Sequence, residues 1–147
     1  MTENSGRLMV AALVAFGVSC APIAVSSADE NCPQARKTLS APAKFQAMQG
    51  GDGASLEKGR ALYETQSKPI ACKVCHGDQG NGLGDPDFES FPPARNFACA
   101  ETMKGISDGQ LFWIIKNGSP RTSMPAFKDL TTDEAWSLVA YIRSFSR

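Results

Sequence analysis

The sequence predicts a small all-α domain whose middle third wraps something that is not protein. Two segments near the C-terminus carry apolar residues at helical spacing between clear start and stop signals. The stretch 77–106 holds Gly77, Gly80, Gly82, Gly84 and Gly105 with Pro86, Pro92 and Pro93, and shows neither a helical nor a strand period. So long a structureless run is uncommon in a compact domain, but it is reasonable where it encloses a non-protein group. In "IACKVCHGDQGNGLG", Ile70–Gly84, the only histidine of the 147 residues directly follows a Cys-x-x-Cys pair.

Taken in chain order, the first element is an export signal. Arg7 precedes the apolar run Leu8–Val18, and the small-residue stretch "SCAPIAVSSADE" follows. This is the pattern of a secretory signal peptide, with cleavage expected after Ala28. An uncleaved anchor is the competing reading, but a spanning helix needs about 20 apolar residues, and Ser19 and Pro22 interrupt this run. A lipid on Cys20 fits less well, because "GVS" before it lacks the usual upstream leucine. Residues 1–28 are set aside as signal, and the mature chain is expected in the periplasm and not embedded in a membrane. Lys and Arg number 15, Asp and Glu 15, and no basic patch is visible, which argues against a nucleic-acid partner. Cys32, Cys72, Cys75 and Cys99 remain, and in an oxidising compartment thiols left free tend to pair.

Residues 29–54 carry prolines and glycines without a sustained period and are expected to form an extended arm ending in a linker at Gly50–Gly53. Residues 55–147 then form the working domain. Its first helix should run from about Ser55 to Thr65, with Ser55 as cap and Glu57 at the positive end. Leu56, Gly59 and Leu62–Tyr63 fall on one side. A second helix opens at a capping box, Ser107 to Gln110, presents Leu111, Phe112, Ile114 and Ile115, and stops at Gly118. The last opens at another box, Thr131 to Glu134, with Ala135, Leu138, Val139, Ile142 and Phe145 at helical spacing. Its natural partner is the first helix. Gly59 would let the two backbones approach, with Tyr141 or Trp136 over the gap. The apolar stock is small for a stable core, so a staple or a cofactor is expected to contribute.

If residues 71–76 form a helical turn, Cys72, Cys75 and His76 project from one face. Two thiols can then reach the edge of a macrocycle while the imidazole rises beneath its centre, and Cys-x-x-Cys-His is the attachment signal for c-type haem. Three other uses compete. Cys32, Cys72, Cys75 and Cys99 could ligate zinc, although the spacings are wide. Cys72 and Cys75 could be a thiol–disulfide site, although no strand precedes them. A plain disulfide with an idle histidine leaves the long loop without a purpose. With the sole histidine used, a second axial ligand would be a methionine. Met124 in "NGSPRTSMPAFKDL" sits in a loop stiffened by Pro120 and Pro125. Met48 lies in the arm, and Met103, just before the second helix, reads as core filler.

The runs "CKVCHG", "GNGLG", "PPARNF", "SDGQLFWIIKNG", "SMPAF" and "AWSLVAYIRSF" together resemble a class I c-type cytochrome, monohaem and bacterial, over Ser55–Phe145. The resemblance implies a small cytochrome c fold: all-α, with three to five short helices and long loops around one covalently bound haem. It implies one haem c held by Cys72 and Cys75, with iron ligated by His76 and Met124. It implies that the carbonyl of Pro92 or Pro93 accepts the outer histidine proton, and that Arg95 or Trp113 meets a haem propionate. Two features are extra to the family's minimal pattern. The arm is long, and Cys32 and Cys99 are additional; a disulfide between them would pin the arm over the haem loop.

A His/Met iron has no open position, so the expected work is one-electron transfer by a periplasmic carrier rather than catalysis. The carrier would be free or a haem subunit of a respiratory complex, and its partners a dehydrogenase, an oxidase or another cytochrome. A thiol oxidoreductase, or a haem peroxidase or sensor with a labile Met124, is the alternative. Lys73, Lys104, Lys116, Arg121 and Lys128 could ring the haem edge, and the acidic "GDPDFES" loop could equally meet a basic partner.

Overall fold

A computed structural model describes Met1, residues 32–35 and residues 37–146; the expected signal segment lies outside the described residues. Six α-helices follow one another: α1 (Ala43–Gln46), α2 (Leu56–Ala61), α3 (Cys72–His76), α4 (Ala100–Lys104), α5 (Asp108–Asn117) and α6 (Thr132–Ser144). No strand occurs among the described residues, and none of their helices is long and apolar enough to cross a membrane. The fold is all-α as expected, with six short α-helices among the described residues where three to five were expected.

α2 and α6 cross at the centre. Ser55 caps α2 by accepting from the Lys58 amide, and the helix then widens into a π turn over Leu62–Gln66. At Gly59 an added Cβ would lie 2.7 Å from the Ser137 carbonyl carbon and 2.9 Å from Tyr141 Cβ. The missing side chain is what lets the two backbones touch. Of the residues expected on this face, Leu62 and Tyr63 are buried while Leu56 is exposed, because the crossing starts one turn later. Tyr141 packs edge-on to Tyr63 with centroids 5.4 Å apart, whereas Trp136 stacks on Phe112 and so joins α6 to α5. Tyr63, Phe112, Trp136, Leu138, Val139 and Ile142 form the centre of the core.

The box at α6 is complete: Thr131 Oγ1 accepts from the Glu134 amide at 3.2 Å, and Glu134 Oε2 accepts from the Thr131 amide at 2.8 Å. The box at α5 is only half made. Ser107 Oγ accepts from the Gln110 amide, but the Gln110 side chain turns to the arm, accepting from the Ala41 amide at 2.6 Å and donating to the Leu39 carbonyl at 2.9 Å. A buried amide that holds another segment makes better use of its polar atoms than one folded back on its own helix.

The described part of the arm thus packs against the helices. α1 lies against α5, where Gly109 leaves room for the Phe45 carbonyl. The disulfide Cys32–Cys99, with Cα atoms 5.5 Å apart, fastens its start. The segment 77–106 is irregular until α4, which Cys99 caps by accepting from the Thr102 amide. It folds back on α3 through Gly82 N–H to His76 O at 2.9 Å, Asp85 N–H to Val74 O at 2.7 Å and Phe97 N–H to Gly80 O at 2.6 Å. Two lysines expected to ring the site are engaged elsewhere. Lys116 donates to the Lys128 and Leu130 carbonyls, and Lys73 pairs with Asp78 at 3.3 Å.

Candidate functional site

α3 is a single turn that starts after extended Ala71 and ends at Gly77, whose φ of 79° is left-handed. Within it Cys72, Cys75 and His76 line one cavity of about 550 Å³, a size ordinary for a cofactor site. Ile70, Phe97, Leu111, Ile114, Ile115 and Phe127 supply much of its apolar lining.

His76 is buried, stacked on Phe97 with centroids 4.2 Å apart. Its Nδ1 donates to the Arg95 carbonyl at 3.0 Å. That bond places the proton on Nδ1, so the ring's lone pair lies on Nε2. The acceptor is Arg95 rather than Pro92 or Pro93, because the loop's fold onto Gly80 brings the chain past the imidazole two residues later. Pro92 lines the cavity; Pro93 does not, and is exposed.

Cys72 and Cys75 are free thiols. Burial pushes Cys72 up to about 11 despite a hydrogen bond with Ser67, and burial also raises Cys75 despite one with Ser90. Both stay protonated at neutral pH. Cys32 and Cys99, being bridged, are unavailable to the four-thiolate zinc site. Among the described residues no group of three or more His, Cys, Asp or Glu could hold a metal ion.

Met124 also lines the cavity. Its loop is pinned to α5 by Phe127 N–H to Ile115 O at 2.9 Å, and within itself by Ser119 N–H to Met124 O and Met124 N–H to Thr122 Oγ1. It is joined to the glycine-proline segment by Ser123 N–H to Phe91 O and Phe91 N–H to Ser123 Oγ, each 2.9 Å. Met103 is 2% exposed and packed in the core, and neither it nor Met48 lines the cavity. Arg95 does, buried, with its guanidinium donating to Gln34 Oε1 at 3.3 Å and Thr38 Oγ1 at 2.7 Å. Trp113 does not, since it falls on the side of α5 away from the opening.

Residue-by-residue reasoning missed the arm's share of the wall: Pro33, Gln34 and Thr38 all line the cavity. Polar side chains in a segment without period look like linker, and only the extra cysteine at position 32 hinted that it was tied down.

The residues present fit a haem. Two thiols stand one helical turn apart, a buried imidazole offers Nε2, a thioether shares the cavity, and the remaining walls are largely apolar.

Residues 54–142 match the family described as cytochrome c oxidase, cbb3-type, subunit III. A curated relative, thiosulfate dehydrogenase of Stutzerimonas stutzeri, is 33% identical over 100 residues, covering 65% of this chain and 29% of the relative. The chain thus spans under a third of that protein. A solved chain of the Kuenenia stuttgartiensis reducing HAO-like protein complex superimposes with a TM-score of 0.52 at 26% identity, over 68% of this chain and 47% of that one.

Proposed function

Because the chain belongs to the cytochrome c oxidase cbb3-type subunit III family, a family of c-type cytochromes, we propose that it is a monohaem, periplasmic one-electron carrier, free or as the haem subunit of an oxidoreductase complex. The single observation that carries this is the convergence of Cys72, Cys75, His76 and Met124 on one largely apolar cavity. The sequence holds one Cys-x-x-Cys-His run, which supports one haem, and the pattern of residues 1–28 supports export.

Cys72 and Cys75 would hold a haem c as thioethers, and His76 Nε2 and the Met124 sulfur would be the protein's donors to its iron. A haem c bound there supplies a one-electron Fe(III)/Fe(II) couple, with the thioether favouring the reduced state. The Arg95 carbonyl fixes the imidazole's tautomer and strengthens Nε2 as a donor. The buried Arg95 guanidinium offers a positive charge at the wall. Phe97 and the aliphatic side chains of α5 line the pocket and keep water from it.

An absorption spectrum tests the proposal: a low-spin haem with a sulfur-to-iron band is expected. Met124→Ala should remove that band and leave the protein folded. Met103→Ala should leave the band and cost about 2–5 kcal/mol of stability. Loss of the band in Met103→Ala alone would reverse the ligand assignment. The relative's name makes thiosulfate the first donor to try. Reduction by thiosulfate alone would make the chain an enzyme; reduction only through a second protein is what a carrier shows.

A further inference from the structure

The arm residue Gln34 grips the histidine's support from both sides. Its Nε2 donates to the Ala94 carbonyl at 3.0 Å, and its Oε1 accepts from the Asn96 amide at 2.9 Å and from Arg95 Nη1 at 3.3 Å. The residue in between is the one whose carbonyl takes the His76 Nδ1 proton at 3.0 Å. Ala94, Arg95 and Asn96 are all buried. Gln34 is itself fixed. Its amide donates to Thr102 Oγ1 at 3.0 Å, and that hydroxyl donates to Cys99 Sγ, one half of the bridge to Cys32, at 3.1 Å. Arg95 Nη2 is held by Thr38, from the same arm, at 2.7 Å.

We infer that Gln34 is a positioning residue for His76: through the backbone of 94–96 the disulfide-tethered arm sets the orientation of the imidazole, and with it the donor strength of Nε2. The inference rests on the proposal that His76 ligates the iron. It goes beyond that proposal in assigning work to a segment that the minimal domain does without. A short amide side chain making three bonds across one carbonyl is a built contact, since each partner is a backbone group or a planar guanidinium with fixed direction. Strengthening the Nδ1–H···O=C bond makes Nε2 a better donor and favours Fe(III); loosening it therefore raises the potential.

The test uses the haem-loaded full chain. Because the sequence has a single histidine, 15N-histidine labelling reports His76 alone. In the reduced, diamagnetic protein the Nδ1 proton of Gln34→Ala should exchange with solvent roughly ten-fold faster, as expected for loss of bonds of this kind, and the midpoint potential should rise. Gln34→Glu keeps the bonds from the Asn96 amide and Arg95 but loses the one to the Ala94 carbonyl, so it should restore slow exchange in part; its added charge acts on the potential separately, and exchange alone is read for this variant. Phe45→Ala, which loosens the arm's other end, should lower the melting temperature and leave exchange and potential at the wild-type values. Wild-type exchange and potential in Gln34→Ala would overturn the inference, as would equal shifts in Phe45→Ala. Failure of the underlying reading looks different, since the wild-type protein itself would then carry no haem band.

Discussion

Replacing Gly59 with alanine tests the architecture at its tightest point. The new Cβ would sit 2.7 Å from the Ser137 carbonyl carbon and 2.9 Å from Tyr141 Cβ. Comfortable carbon–carbon contact is about 3.5–4.0 Å. The helices must therefore part by the better part of an ångström, and the nearest obstacle is α6 backbone, which cannot rotate away. Overpacking of this kind costs about 1–3 kcal/mol; the strain here falls at the upper end, at roughly 3 kcal/mol. Alanine returns about 1 kcal/mol through its helix propensity. The net loss of about 2 kcal/mol should lower the melting temperature by roughly 10 °C for a domain of this size. Thermal unfolding of the loaded protein followed by far-ultraviolet circular dichroism reads this directly. Gly51→Ala is the control, since nothing lies within 4 Å of its added Cβ, and it should stay within about 0.5 kcal/mol. A Gly59→Ala protein as stable as the wild type would refute the close crossing.

Breaking the Cys32–Cys99 bridge with a double serine substitution should cost about 4 kcal/mol by chain entropy, given its separation of 67 residues; denaturant midpoints measure it. In the haem-free chain, iodoacetamide should label Cys72 slowly at neutral pH, with the rate climbing only as pH approaches about 11, because burial favours the thiol; rapid labelling at neutral pH would contradict that burial. Thr131→Ala should cost about 1 kcal/mol by removing the cap of α6. Hydrogen bonds from the Thr131 amide and hydroxyl hold the Glu134 carboxyl below its ordinary value. Stability from that group is present above the unfolded carboxylate value and is lost as pH falls through the depressed one. Stability curves should therefore lose part of their acid limb in Thr131→Ala.

Some of this was legible before any coordinates, for identifiable reasons. The Cys-x-x-Cys-His run, the α6 box and the Gly59 crossing depend on residues near in sequence or on a regular period, and both survive in a one-dimensional string. Met124 was separable from Met103 because prolines on both sides excluded helix. Of the arm only the Cys32–Cys99 bridge was legible; its other ties run from Gln34, Thr38 and Ala41 to partners about sixty to seventy positions away. Arg95 was picked for its side chain, but its carbonyl is what holds the histidine, and a main-chain group leaves no mark on residue type. Gln110 shows the same thing from the other side, since a local motif predicted one bond and a distant segment took the side chain instead.

The bridge at 32 and 99 makes a covalent ring of everything between, including the Cys72–His76 turn and the exposed acidic stretch around Asp85, Asp87 and Glu89. A protease that cuts once inside that ring releases no fragment. The nicked protein would run as one band on a non-reducing gel and fall into two pieces only once a reductant opens the sulfur link.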